Sequence, residues 1–255
     1  MAPRKHVKTA KAKGSRPVID PSNRVAKKRA SGAPPKHKNG LLNVAVSESS
    51  ELMKIAKQNS LQSPLLCLPP EIRNKIWRYA LGGYQIDIRG HCSRSARKAP
   101  KLLFDTRPMA TRYPVQWNYI RPTFLLHKIC RQMYVETSPL IYTLNTFTFN
   151  NVDTMDRWIK DRAPGQLRLV TSVDVPMEYM RLYHLGFRKK FCAKFPGIKR
   201  IGVDILVPYF SRYMSETLEE SKARILRKIK EWEGEHVEVE WHWGPNGRPS
   251  ALRYE

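Results

Sequence analysis

From Thr146 onward the chain alternates β-like runs with amphipathic helical stretches. The reading gives a strand at 146–149, a helix at 153–161 and a strand at 169–175. A helix within 177–195, a strand at 201–207, a helix at 217–233 and a strand at 237–243 follow. Each strand–helix unit spans roughly 25–35 residues, the length of a right-handed crossover between parallel strands. This order predicts an α/β (or α+β) fold with a mainly parallel, helix-covered sheet. Ser172-Val173-Asp174-Val175 and Gly202-Val203-Asp204-Ile205 echo each other 30 residues apart, which gives the sheet a weakly leucine-rich-repeat-like character.

Upstream, Pro70–Leu81 predicts a helix. Pro70 suits the first turn and Glu71 the positive end of the dipole. Ile72, Ile76 and Ala80 form a stripe at i, i+4, i+8, with Trp77 and Leu81 beside it, and Gly82-Gly83 ends the helix. Tyr84–Arg89 alternates as a half-buried strand, with Leu102–Phe104 as a short strand facing it. A helix is expected over 123–136, with Leu125, Ile129 and Met133 in one row and Leu126, Cys130 and Tyr134 in the next. A short helix at Pro139–Leu144 is expected to leave through Asn145 in a left-handed conformation.

The net charge of +24 is unevenly placed. The first 40 residues hold twelve lysines and arginines against Asp20 alone, five prolines and no aromatic residue. Such a segment cannot bury enough surface to offset chain entropy. Residues 1–60 therefore read as a disordered basic arm and linker, and 61–255 as one domain. The arm has three readings: an import signal around Lys27-Lys28-Arg29, a tail that contacts phosphates without reading sequence, or a solubilising tail. Arg188, Lys189 and Lys190, with Lys194, Lys199 and Arg200, form a second basic patch that could meet phosphate together with Arg94, Arg97, Lys98 and Lys101.

No run of about 18 apolar residues spans a bilayer, and no apolar stretch follows the charged N-terminus. Cys67, Cys92, Cys130 and Cys192 lack paired spacing and are expected as thiols. The expected location is inside the cell, nucleus ahead of cytoplasm, with no membrane partner.

No Walker loop, GxGxxG, GxSxG or HExxH occurs, so an enzyme is not expected and no cofactor is implied. His127 and Cys130 lie one helical turn apart, and His91-Cys92 is a loop pair; neither has a second ligand pair. His236, Glu238, Glu240 and His242 share one face of the last strand and read as a charged edge rather than a metal site. Asp174 and Asp204 end strands at similar positions and could face one crevice. Arg73 and Arg131, with Glu71 and Glu136, read as ion pairs tying helix 70–81 to helix 123–136, against a charged partner-binding groove as the alternative.

Two segments carry a family resemblance. Ser63–Gly83 contains Leu68-Pro69-Pro70-Glu71-Ile72-Arg73 followed by Ile76-Trp77. Phe124–Asn150 contains Cys130-Arg131-Gln132, Tyr134, Glu136-Thr137 and Tyr142-x-x-Asn145-Thr146-Phe147. Together they resemble the two signatures of a fungal F-box-like domain related to the EXR motif. The resemblance implies a protein-interaction module. In a true F-box the opening helix docks on the Skp1-type adaptor of a ubiquitin ligase, and Leu68, Pro69, Glu71, Ile72 and Ile76 match that opening. The strand and basic loop that follow depart from the remaining F-box helices. The competing expectation is a nuclear protein binding nucleic acid without sequence preference. The oligomeric state is left open.

Overall fold

In the computed structural model the described residues are 35–45, 47–91, 101–109, 124–179, 190–213 and 215–242. Lys27, Lys28, Arg29, Cys92, Arg94, Arg97, Lys98, Arg188 and Lys189 lie outside them, as do the first 34 residues of the expected arm. The compact unit begins at Pro35, earlier than the expected boundary near residue 61. Asn39 and Leu42 explain why. The Gly165 N–H donates to the Asn39 carbonyl at 3.0 Å, and the Leu42 N–H donates to the Tyr134 hydroxyl at 3.1 Å. The segment expected to be linker then forms helix α1 (Glu51–Gln62), capped by Ser50, whose hydroxyl accepts from the Met53 N–H.

Helix α2 (Pro70–Leu81) opens on proline and stops at Gly82. Gly83 follows at φ 78°, where a Cβ would strain the backbone, and turns the chain into β1 (Tyr84–His91). Strand β2 (Lys101–Pro108) returns antiparallel. The helix expected over 123–136 is broken. A 3-10 turn at Leu126–Lys128 is followed by extended backbone at Cys130 (φ −151°, ψ 169°), and only then by α3 (Arg131–Thr137). Leu125 and Ile129 are exposed in consequence, while Met133 is buried. Helix α4 (Leu140–Thr143) leads into β3 (Thr146–Phe149).

The expected alternation then unfolds: α5 (Val152–Lys160), α6 (Pro164–Leu167), β4 (Ser172–Asp174), α7 (Phe191–Lys194), β5 (Arg200–Asp204), α8 (Leu206–Ser211), α9 (Leu218–Glu233) and β6 (Glu238–His242). Asn151 caps α5, its side-chain oxygen reaching the Thr154 N–H at 2.8 Å. Strand β5 ends at Asp204, two residues short of the start of α8; the expected continuation to 207 gives way to helix. Thr217 and Glu220 form a capping box at the start of α9.

The six strands form one sheet in the order β2-β1-β3-β4-β5-β6, parallel except for the β1–β2 hairpin. One face is apolar: Ile86 and Ile88, Phe147 and Phe149, Val173, Ile201 and Val203 pack with Met155 and Trp158 of α5, Phe191 of α7, and Ile225 and Ile229 of α9. Phe147 and Trp158 tilt against each other with ring centroids 5.0 Å apart. A smaller cluster of Leu66, Trp77 and Met133 joins α2 to α3. The opposite face of the sheet is polar and is buried through its centre, while Glu238 and Glu240 of β6 stay exposed. Gln85, Asp87, Thr146, Thr148, Asp174 and Asp204 all lie within it at 8% exposure or less. The reading of β1 as half-buried is thus corrected at Gln85 and Asp87, which are buried, whereas Arg89 on the same side is exposed.

Candidate functional site

The two signature segments are bolted to each other. Arg73, 7% exposed, faces α3. Its Nε and Nη2 donate to the two oxygens of Glu136 at 3.2 and 2.8 Å. Its Nη1 donates to the carbonyls of Leu66, at 2.9 Å, and Leu68. The Trp77 indole and the Gln132 amide also donate to Glu136, at 2.8 and 3.1 Å. Burial opposes ionisation of Glu136, but the donors Arg73, Trp77 and Gln132 prevail and hold its carboxyl below the usual range. Arg73 is correspondingly raised, first through its hydrogen bond to Glu136. Arg131 makes no such pair among the described residues; its Nη1 lies against the Met53 sulfur.

Asn145 makes a second cross-link. Its amide nitrogen donates to the carbonyls of Leu81 at 2.7 Å and Ile141 at 3.0 Å, and its oxygen accepts from the Tyr84 N–H at 2.9 Å. No residue other than glycine has a positive φ among the described residues. The expected left-handed exit at Asn145 is therefore replaced by this bridge.

With Arg73, Trp77 and Leu81 facing home, the expected inward stripe of α2 is rotated. Ile72 is 44% exposed and Tyr79 is 84% exposed. Ile76 is half-buried against Trp77 and Met133. Leu68 is half-buried, and Pro69 and Glu71 are exposed. Of the five residues matched to an F-box opening, Pro69, Glu71 and Ile72 are thus exposed, while Leu68 and Ile76 are half-buried.

The polar sheet face holds a second constellation. Register aligns Asp87, Thr148, Asp174, Gly202 and Glu240 across β1, β3, β4, β5 and β6. Asp174 accepts from Gln85 at 3.3 Å, Thr148 at 2.9 Å and Arg200 at 3.0 Å. Arg200 also pairs with Glu240. A Cβ at Gly202 would overlap the Asp174 carboxylate, so this glycine makes room for the Asp174–Arg200 pair. Asp87 pairs with Arg107, yet burial lifts its carboxyl above the usual range. Toward the carboxyl ends of the parallel strands lies a cleft of about 470 Å³, lined by Asp87, Asp174, Asp204 and His242 among others. Asp174 and Asp204 do face one crevice, and His242 joins them from β6. Among the described residues no three His, Cys, Asp or Glu side chains come together as a metal-ligand set.

Of the second basic patch, Lys190 is exposed at the start of α7. Lys194 is paired with Asp156, and Arg200 with Asp174 and Glu240. Glu233 caps α7 from a distance, accepting the Phe191 and Cys192 N–H groups at 2.6 and 2.7 Å. Burial, with Glu233 alongside, pushes the Cys192 thiol up to about 12. No helix among the described residues is long and apolar enough to cross a membrane.

No curated protein and no solved structure matches the chain. A family model for a domain of unknown function, DUF7730, matches residues 58–195. That stretch contains both signature segments, the Arg73–Glu136 clamp and the Asn145 bridge, and it ends before Arg200, Asp204 and His242. Matched over more than half of its length, the chain belongs to the DUF7730 family.

Proposed function

We propose that the domain is a non-enzymatic protein-interaction module of F-box-like type that presents α2 to a partner, a Skp1-type adaptor being the first candidate. The observation behind this reading is the rotation of α2. Its home-facing row is Arg73, Trp77 and Leu81, which leaves Ile72 and Tyr79 to solvent beside Pro69 and Glu71. Exposed large apolar residues grouped on one helix are the usual raw material of an interface. The test is binding of the full chain to a purified Skp1-type adaptor, with Ile72→Asp as the control. A complex lost in Ile72→Asp supports the adaptor role. Absence of any complex, or one that Ile72→Asp leaves untouched, removes it.

A second reading, a nuclear protein holding nucleic acid through its basic arm, rests on how charge is committed. Within the domain Arg73, Arg107, Lys194, Arg200 and Arg224 are each paired with a carboxylate, whereas the first 40 residues carry twelve bases and one acid. Binding to unrelated duplexes should fall steeply with salt and vanish on deletion of residues 1–34. Binding that survives the deletion counts against the arm.

A further inference from the structure

Parallel strands in open α/β sheets deliver their ligands to the crevice beyond the strands' carboxyl ends. The cleft on the polar face sits there. Two observations separate it from a satisfied polar core.

The first is hydrogen bonding. Asp174 is fully engaged by Gln85, Thr148 and Arg200. His242 is 4% exposed, and neither of its ring nitrogens has a hydrogen-bond partner among the described residues. Oδ1 of Asp87, in the same cleft, is also without one. Buried polar atoms are paired in the great majority of cases, and an unpaired one costs its full desolvation. All three belong to residues that line one cleft, which makes them its candidate binding groups.

The second is charge. Among the described residues Asp87, Asp174, Asp204 and Glu178 line the cleft against one cation, Arg89, whose Nη2 lies 3.6 Å from Asp87 Oδ2. Counting Arg107 and Arg200, which pair with Asp87 and Asp174, carboxylates still outnumber bases. That excess of one carboxylate is opposite in sign to the chain's net charge of +24. Asp204 is 6% exposed and uses Oδ1 to accept the Leu206 N–H at 2.9 Å.

We infer that this cleft binds a small organic cation, an ammonium or guanidinium compound that also carries an acceptor oxygen. The cationic head lies between Asp204 and Asp87. A neutral imidazole offers one acceptor and one donor. His242 therefore takes an N–H of the head on one nitrogen and donates to the ligand oxygen from the other. Val175, Met177 and Leu206 supply apolar wall for the carbon skeleton. The volume falls within the range of small-ligand pockets, about 300–1,000 Å³. The inference is independent of the α2 surface, so either can fail without the other.

The experiment is calorimetric titration of the full chain at low ionic strength with argininamide and lysinamide. Propionamide, magnesium ion and inorganic phosphate serve as comparison probes. Saturable one-to-one binding of one or both cations is expected, with none for propionamide or phosphate. Asp204→Asn keeps an oxygen for the Leu206 N–H, so it should leave the thermal midpoint unchanged. It should weaken cation binding by about tenfold or more, the loss of a charge-assisted hydrogen bond. In the unaltered protein the ring resonances of His242 should shift on saturation, a readout that stands even where the variant fails to fold. Absence of saturable cation binding, equal binding of propionamide, an Asp204-dependent site for magnesium, or His242 resonances that do not move each overturns the inference.

Discussion

Arg73 and Glu136 stand 63 residues apart in sequence and meet through two hydrogen bonds, with the Trp77 indole completing the grip on the same carboxylate. A planar guanidinium matches a carboxylate in this two-pronged way, which lysine cannot reproduce. The Glu136 carboxyl lies below its usual 4.5 in the folded state. Its stabilising contribution is therefore complete above the unfolded value and fades as pH falls through the folded one. Glu136→Gln should cost about 2 kcal/mol near neutrality. The gap between variant and parent, read from urea midpoints, should narrow progressively as the pH falls below the ordinary carboxylate range. A gap of constant size across that range would show that the carboxylate's charge is not what matters.

The two sides of α2 should respond oppositely. Trp77→Ala empties the small cluster with Leu66 and Met133 and should cost about 3–5 kcal/mol. Ile72→Asp changes an exposed site and should stay within about 0.5 kcal/mol. Denaturation of both variants by urea measures the contrast directly.

Much of the architecture is legible in the sequence because period and punctuation agree. Pro70 and Gly82 bracket α2 where expected, and the Thr217–Glu220 box opens α9. What misled is side-chain orientation. Hydrophobicity alone assigned the inner side of α2 to Ile72, Ile76 and Ala80. An arginine goes inside instead, held by the Glu136 ion pair that the two signature segments lead one to expect between these helices. The same holds for the sheet. Asp174, Asp204, Glu238, Glu240 and His242 were each visible, but only strand register aligns them with Gln85 and Asp87. Alternation in β1 suggests one wet side, and nothing within eight residues of sequence announces that Thr148, Asp174 and Arg107 will dry it.

Gly202 should tolerate no side chain. Gly202→Ala pushes a methyl group into the Asp174 carboxylate, with Arg200 close beside it. The expected loss is about 1–3 kcal/mol. Combining it with Asp174→Ser should recover part of that loss. A double variant no more stable than Gly202→Ala would place the clash elsewhere.

The cysteines should differ sharply in reactivity. Cys67 is exposed, whereas Cys192 is half-buried with its thiol raised to about 12. Thiolate is the reactive form. Iodoacetamide at about pH 8, a pH below the ordinary thiol value, should mark Cys67 well before Cys192, and peptide mass spectrometry reads the order. Glu233→Gln removes the carboxylate beside Cys192 and should narrow the difference.

The Asn145 bridge has a consequence for anything that docks on α2. One amide holds the last carbonyl of that helix and the first N–H of β1, and it sits in the chain immediately before β3. The helix is thereby fastened at its end to the middle of the sheet, as Arg73 fastens it near its beginning. A visitor to Ile72 and Tyr79 meets a surface already held in place. Little ordering entropy remains to be lost on contact, and the affinity of the encounter is set by the shape and chemistry of that outer side alone.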